Sequence, residues 1–96
     1  MGLIGSMKRM RVLFSGRVQG VGFRYTVCRV AASFKVAGFV RNLADGDVEL
    51  VAEGFEQELA GFIHAIRDSS PGRYITREQL RWSAATGEYE MFRILN

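Results

Sequence analysis

The apolar positions of this chain alternate between the spacing of strands and the spacing of helices. Residues 10–15 place an apolar side chain at every second position on one side, which predicts a strand with one buried face. From Phe23 onward the apolar residues recur every three or four positions, which predicts a helix that Gly38 ends. Residues 57–67 repeat this spacing and predict a second helix. Its inward side consists of the apolar residues Leu59, Phe62, Ile63 and Ile66.

Four further segments are strand candidates. Residues 39–43 and 48–53 predict a hairpin, because an Asp-Gly pair in the intervening turn favours a tight reversal of the chain. Residues 74–83 and 89–95 predict weaker strands. The order βαββαβ is that of the ferredoxin-like sandwich, so we predict an α+β fold with two helices packed on one face of an antiparallel sheet. This fold hosts many functions, and the function must therefore come from a site.

The length and the cysteine count restrict the class of protein. A chain of 96 residues fits one domain, which we place at residues 9–96, after a flexible N-terminus at residues 1–8 that is consistent in part with an expression scar. One cysteine, Cys28, and one histidine, His64, exclude an internal disulfide and a Cys/His zinc cluster. No apolar run approaches the roughly 20 residues that cross a bilayer. We expect a cytoplasmic monomer without membrane contact, metal or cofactor.

The charge is distributed unevenly along the chain. Residues 1–44 contain eight Lys or Arg and no acid, whereas residues 45–96 contain five Lys or Arg and ten acids. The two parts thus carry +8 and −5, for a net charge of +3. The basic part favours an anionic partner, which the charge alone leaves open between a phosphorylated small molecule, a nucleic acid and a lipid surface. Solvated surface charge explains the same pattern.

The stretch from Gly16 to Arg24, which we call the anion loop, leaves the first strand and enters the first helix. Its three glycines allow positive φ, so that successive N–H groups and the first turn of the helix can surround an anion. Arg24 is a cation at the positive end of the helix dipole, and a bound anion would remove that conflict. The alternative is a tight turn with a solvent-facing arginine. We expect a phosphate-sized anion to bind to Arg24 and to the loop residues Gln19, Gly20, Val21, Gly22 and Phe23.

Two motifs of this chain resemble the signatures of the acylphosphatase family, and the resemblance covers residues 9–94. The first reads Phe14-x-Gly16-x-Val18-Gln19-Gly20-Val21-x-Phe23-Arg24. The second reads Gly38-Phe39-Val40-Arg41-Asn42-x-x-x-Gly46-x-Val48-x-x-x-x-x-Gly54. The resemblance implies the same βαββαβ fold and the hydrolysis of acyl phosphates to a carboxylate and inorganic phosphate. It also implies a phosphate-binding role for Arg24 and a water-positioning role for Asn42.

The residue types suit that reaction. A leaving carboxylate has a pKa of roughly 4 and departs without a proton, so no general acid is required. Phosphoryl transfer needs mainly positioning and charge stabilisation, which Arg24 and backbone N–H groups can supply without a metal. The carboxamide of Asn42 can both donate to and accept from a water.

Three alternatives remain open at this point. RNA-recognition modules share the βαββαβ order, and residues 37–40 resemble part of their aromatic strand motif, but a second exposed aromatic strand is missing. We therefore expect no nucleic-acid partner. The acylphosphatase-like domain of hydrogenase-maturation carbamoyltransferases normally precedes much more chain, and because this sequence ends at Asn96 we expect a stand-alone enzyme. The third alternative is a non-catalytic relative, although Arg24 and Asn42 are both present.

Overall fold

The computed structural model describes residues 7–96, which form a five-stranded sheet, two α-helices and a short 3₁₀ helix at Pro71–Tyr74. The strands are β1 (Met7–Gly16), β2 (Ala37–Asn42), β3 (Val48–Phe55), β4 (Ile75–Ala84) and β5 (Phe92–Leu95), and the helices are α1 (Phe23–Ala31) and α2 (Glu56–Arg67). This order confirms the predicted α+β, ferredoxin-like fold. Met7 and Lys8, which the sequence analysis placed in the N-terminal segment, open β1. The other residues of that segment, 1–6, lie outside the described residues.

The sheet has the strand order β4-β1-β3-β2-β5. Strand β3 lies between β1 and β2 and is antiparallel to both, so β1 and β2 run in the same direction although they are not paired with each other. Their C-terminal ends therefore meet at one edge, where Phe14 and Asn42 both lie opposite Val48. Strand β5 pairs parallel with β2, which adds a parallel strand to the four antiparallel ones, and it ends at the same edge with Leu95 opposite Arg41.

One face of the sheet and both helices enclose a single core. The predicted inward residues of β1 are Met10, Val12 and Phe14, and all three are fully buried. The four predicted inward residues of α2 are also buried, as the sequence spacing required. Full burial of such a side chain stabilises the fold by about 1.5–3 kcal/mol, so this face fixes the register of the strands.

Helix α1 is shorter than the sequence predicted. It ends at Ala31, and the next three backbone N–H groups donate to carbonyls three residues earlier, which tightens the chain into a turn. The prediction that Gly38 ends this helix was wrong, since Gly38 lies within β2. Its φ is 146°, and a Cβ there would lie 1.9 Å from the carbonyl oxygen of Val51. Gly38 is therefore required by the close approach of β3.

The opposite face of the sheet carries two buried carboxylates on β3. Glu49 accepts hydrogen bonds from Arg11 Nε at 2.7 Å and from Arg41 Nε at 2.6 Å. Glu53 accepts from two backbone N–H groups of the loop before β5 and from Arg9 Nε at 2.8 Å. Burial alone would raise the pKa of each carboxyl, but these hydrogen bonds outweigh it and hold both pKa values below the usual value. The ionised carboxylates thus join the strands across the open face.

Candidate active site

The anion loop is fixed to the protein at both of its ends. Val18 and Phe23 are each only 1% exposed, and the Phe23 ring packs edge-on against Phe14 with their centroids 5.2 Å apart. At the start of the loop, Gly16 has a φ of 122°, and a Cβ there would lie 2.3 Å from the carbonyl oxygen of Tyr74. No other residue fits that position without displacing the backbone. The middle of the loop is thereby held in one place at the surface.

The middle of the loop presents backbone N–H groups without acceptors. Gly20 and Gly22 have φ values of 80° and 78° in open space, so the backbone conformation rather than crowding calls for glycine. Helix α1 begins directly after Gly22, and its first intrahelical bond runs from Thr26 N to Gly22 O at 3.0 Å. Within residues 7–96, the N–H groups of 20–25 donate to no protein acceptor. Together with the positive end of the helix dipole, these donors have the arrangement that binds anions in proteins, which makes the loop a candidate anion site.

Arg24 brings a guanidinium to this site and is itself held by the end of β5. Its Nη1 donates to the carbonyl oxygen of Leu95 at 3.1 Å. A guanidinium carries about five N–H donors, so most of them remain free for a ligand. The first turn of α1 contains no acidic residue that would neutralise this cation. The contact with Leu95 links Arg24 to a residue 71 positions away, and no local sequence pattern indicates it.

Asn42 reaches the same site from the end of β2. Its Oδ1 is buried and has no hydrogen-bond partner among the described residues. A buried acceptor without a partner costs about 1–3 kcal/mol, which a donor such as a water molecule would relieve. The sequence motif placed Asn42 in the site, and the structure brings it to the same cavity as Arg24.

The loop cavity has a volume of about 290 Å³. It is lined by Val18, Gly20, Gly22, Phe23, Arg24, Tyr25 and Asn42. Two expected phosphate-binding residues, Gln19 and Val21, do not line it. It is also lined by two residues that were not predicted, Val18 and Tyr25. Val18 is buried and Tyr25 is exposed, which follows from the packing of the loop and not from its sequence. The cavity is large enough for a phosphate-sized anion and a neighbouring water.

The side chain of Gln19 joins the loop to the hairpin that follows Asn42. Its Nε2 donates to the carbonyl oxygens of Leu43 at 2.8 Å and Asp47 at 2.9 Å. Leu43 is the residue next to Asn42, so this contact couples the position of the anion loop to the position of the carboxamide. Gln19 thus acts on the geometry of the site from outside the cavity.

A cavity of similar size lies on the open face of the sheet. It measures about 320 Å³ and includes Phe39, Tyr89 and Arg93 in its lining. Two carboxylates, Glu88 and Glu90, also line it and would repel an anion. No glycine loop or helix N-terminus is among its lining residues, so the loop cavity is the stronger anion site.

The two side chains that invite nucleophilic or metal chemistry lie elsewhere. His64 is exposed on α2, with its Nε2 3.5 Å from an Asp68 oxygen, and Cys28 is a half-buried free thiol. In the described part of the chain, no three His, Cys, Asp or Glu side chains are grouped so that they could hold a metal ion. No helix in residues 7–96 has the length and apolar composition needed to cross a membrane.

Residues 10–94 match the family model of the acylphosphatases. The chain belongs to the acylphosphatase family. An acylphosphatase of Methylococcus capsulatus is 43% identical over 89 residues, which cover 93% of this chain and 97% of that relative. The solved acylphosphatase of Bacillus subtilis matches with a TM-score of 0.85 and 39% identity, over 93% of this chain and 99% of that one.

The acylphosphatase fold also occurs within longer proteins. Full-length HypF, solved in a phosphate- and nucleotide-bound form, matches with a TM-score of 0.81 and 28% identity. The match covers 94% of this chain but only 12% of HypF. A bacterial light-regulated adenylyl cyclase shares the fold alone, with a TM-score of 0.66 and 13% identity.

Proposed function

We propose that this protein hydrolyses acyl phosphates to a carboxylate and inorganic phosphate. Membership of the acylphosphatase family supports the reaction class. One observation of the site carries the mechanism: unpaired N–H donors and the Arg24 guanidinium line the same cavity as Asn42, whose carboxamide can both donate to and accept from a water. The first group suits the phosphoryl oxygens, and the second suits an attacking water.

In the binding step, the phosphoryl group of the substrate lies in the loop cavity. Its oxygens accept hydrogen bonds from the backbone N–H groups of the anion loop and from the free donors of Arg24. Since Leu95 already fixes the guanidinium, little reorganisation is needed as charge develops on the phosphoryl oxygens. The arginine and the backbone dipoles neutralise this charge, and we therefore propose that the reaction needs no metal.

In the hydrolytic step, Asn42 orients a water in line with the bond that breaks. The water oxygen forms a bond to phosphorus, and the bond between phosphorus and the acyl oxygen breaks. The acyl oxygen keeps the electron pair and leaves as a carboxylate, whose conjugate acid has a pKa of roughly 4. The proton of the water passes to an oxygen of the phosphate product. All residues of the site belong to one chain, so we propose that a monomer suffices.

The test is phosphate release from benzoyl phosphate in the presence of a metal chelator. Arg24→Ala should lower the rate by on the order of 10³ or more, because an arginine at a phosphoryl transition state contributes 10³–10⁵ in rate. Arg29→Ala is the matched control, since it removes the same charge from the same helix outside the cavity. It should keep near-normal turnover. Near-normal turnover of Arg24→Ala, or loss of wild-type activity on chelation, would contradict the proposal.

A further inference from the structure

A second, smaller cavity adjoins the loop cavity. It measures about 250 Å³ and is lined by Arg24, Tyr25, Ile94 and Asn96, and we call it the side cavity. Arg24 and Tyr25 line both cavities and form the wall between them. Asn42 lines only the loop cavity. A ligand held by Arg24 therefore has two directions in which to extend, one toward Asn42 and one away from it.

The in-line geometry of phosphoryl transfer selects between these directions. The attacking water and the leaving oxygen lie on opposite sides of phosphorus. If Asn42 holds the water, the acyl group of the substrate must extend away from Asn42. The side cavity is the candidate for that direction, because it shares Arg24 with the loop cavity and is not lined by Asn42.

The lining of the side cavity divides into two polar residues, Arg24 and Asn96, and two residues with apolar surface, Tyr25 and Ile94, which can contact an acyl group. Tyr25 is 78% exposed, so its ring offers a largely uncovered face at the mouth of the site. Ile94 adds a half-buried aliphatic side chain that packs against the core on its other side. An aromatic ring stacks favourably on another flat ring, and an acetyl group is too small to cover either side chain.

We infer that Tyr25 and Ile94 form the binding subsite for the acyl group, so that Tyr25 determines how strongly an aromatic acyl group is favoured over an acetyl group. This inference rests on the proposed function. Tyr25 acts in it as a specificity-determining residue that contacts the acyl group, while Arg24 and the anion loop hold the phosphoryl group. The two halves of the substrate thus bind on the two sides of one arginine.

The test compares kcat/KM for benzoyl phosphate and acetyl phosphate in wild type and in variants. Tyr25→Ala should lower the ratio of the two values about tenfold, which corresponds to ~1.4 kcal/mol. Tyr25→Phe keeps the ring and should keep the ratio. Trp82→Ala, which removes an exposed aromatic ring from β4, is the matched control and should also keep it. Tyr25→Gln likewise lacks the ring and replaces Tyr25→Ala if that variant is poorly folded.

A binding measurement separates this inference from the reaction itself. Benzoylphosphonate and acetylphosphonate mimic the two substrates but carry a P–C bond in place of the bond that breaks. Tyr25→Ala should weaken benzoylphosphonate about tenfold more than acetylphosphonate. Equal weakening, or an unchanged substrate ratio in an active protein, overturns the inference and leaves the proposed function standing. A wild type that hydrolyses neither substrate overturns the proposed function and the inference together.

Discussion

Replacing Asn42 with alanine should separate turnover from phosphate binding. In the proposed mechanism the carboxamide positions only the water, whereas Arg24 and the loop N–H groups hold the phosphoryl group. We expect kcat for benzoyl phosphate to fall by about 10² or more, which corresponds to ~2.7 kcal/mol of transition-state stabilisation. The Kd of inorganic phosphate should change by less than about threefold, because none of its proposed contacts is removed.

The same substitution should have little effect on stability. Asn42 Oδ1 accepts no hydrogen bond from the other residues of 7–96, so the truncation breaks no hydrogen bond within the protein at that atom. We therefore expect the free energy of unfolding of Asn42→Ala to lie within about 1 kcal/mol of the wild-type value.

Three measurements on one preparation decide this prediction: benzoyl phosphate turnover, calorimetric titration with inorganic phosphate, and urea unfolding. Gln79→Ala removes an exposed carboxamide from β4 and serves as the control for all three. Loss of phosphate affinity with an intact kcat would refute the water-positioning role. A loss of stability above about 2 kcal/mol would show that Asn42 supports the fold instead.

Three further predictions concern the surroundings of the site. Gln19→Ala should lower kcat/KM for benzoyl phosphate about tenfold, and Gln19→Glu should not restore it, because a carboxylate cannot donate to the two carbonyl oxygens of the hairpin. In urea unfolding, Gly38→Ala should cost about 3 kcal/mol or more through strain and overlap, whereas Gly87→Ala, strained but in open space, should cost only about 1–2 kcal/mol. The pKa of Glu49 is lower in the folded state than in the unfolded state. The ionised carboxylate should therefore contribute fully to the free energy of unfolding above the unfolded-state pKa of about 4.3, and this contribution should vanish as the pH falls through the folded-state pKa. Glu49→Gln should flatten the pH dependence of unfolding in that acidic range and lower the free energy of unfolding by a constant amount between about pH 5 and 8, and an unchanged acid limb would contradict the role of Glu49.

The elements of this fold could be predicted where local spacing decides them. The inward residues of β1 and α2 follow directly from periods of two and of three to four residues, and the structure buries them all. The end of α1 could not be predicted in this way, because Gly38 is required by the close approach of the neighbouring strand β3 and does not end the helix. The sequence shows that a glycine lacks a side chain, but why the position requires glycine depends on which part of the fold packs against it.

The candidate site likewise has features that local sequence predicts and features that only the tertiary structure shows. The glycine spacing of the anion loop and the position of Arg24 predicted a place for an anion, and the second motif added Asn42. The contact of Arg24 with Leu95 and the two bonds of Gln19 connect residues between 24 and 71 positions apart. Such contacts follow from the strand order, which local patterns do not determine. The buried Glu49 was unrecognisable for the same reason, since its two arginine partners come from strands on either side of β3.

Strand β3 lies between β1 and β2, and this placement makes hydrolytic activity a reporter of folding. The loop with Arg24 follows β1, and Asn42 ends β2. Because β1 and β2 are not paired with each other, the two halves of the site come into register only when β3 has paired with both of them. In a partly folded chain whose β3 is not yet paired, all residues of the site are present but they are not brought together. Turnover after dilution from denaturant should therefore return no earlier than the pairing of β3 with both neighbours, and it follows this step without a label or a spectroscopic probe.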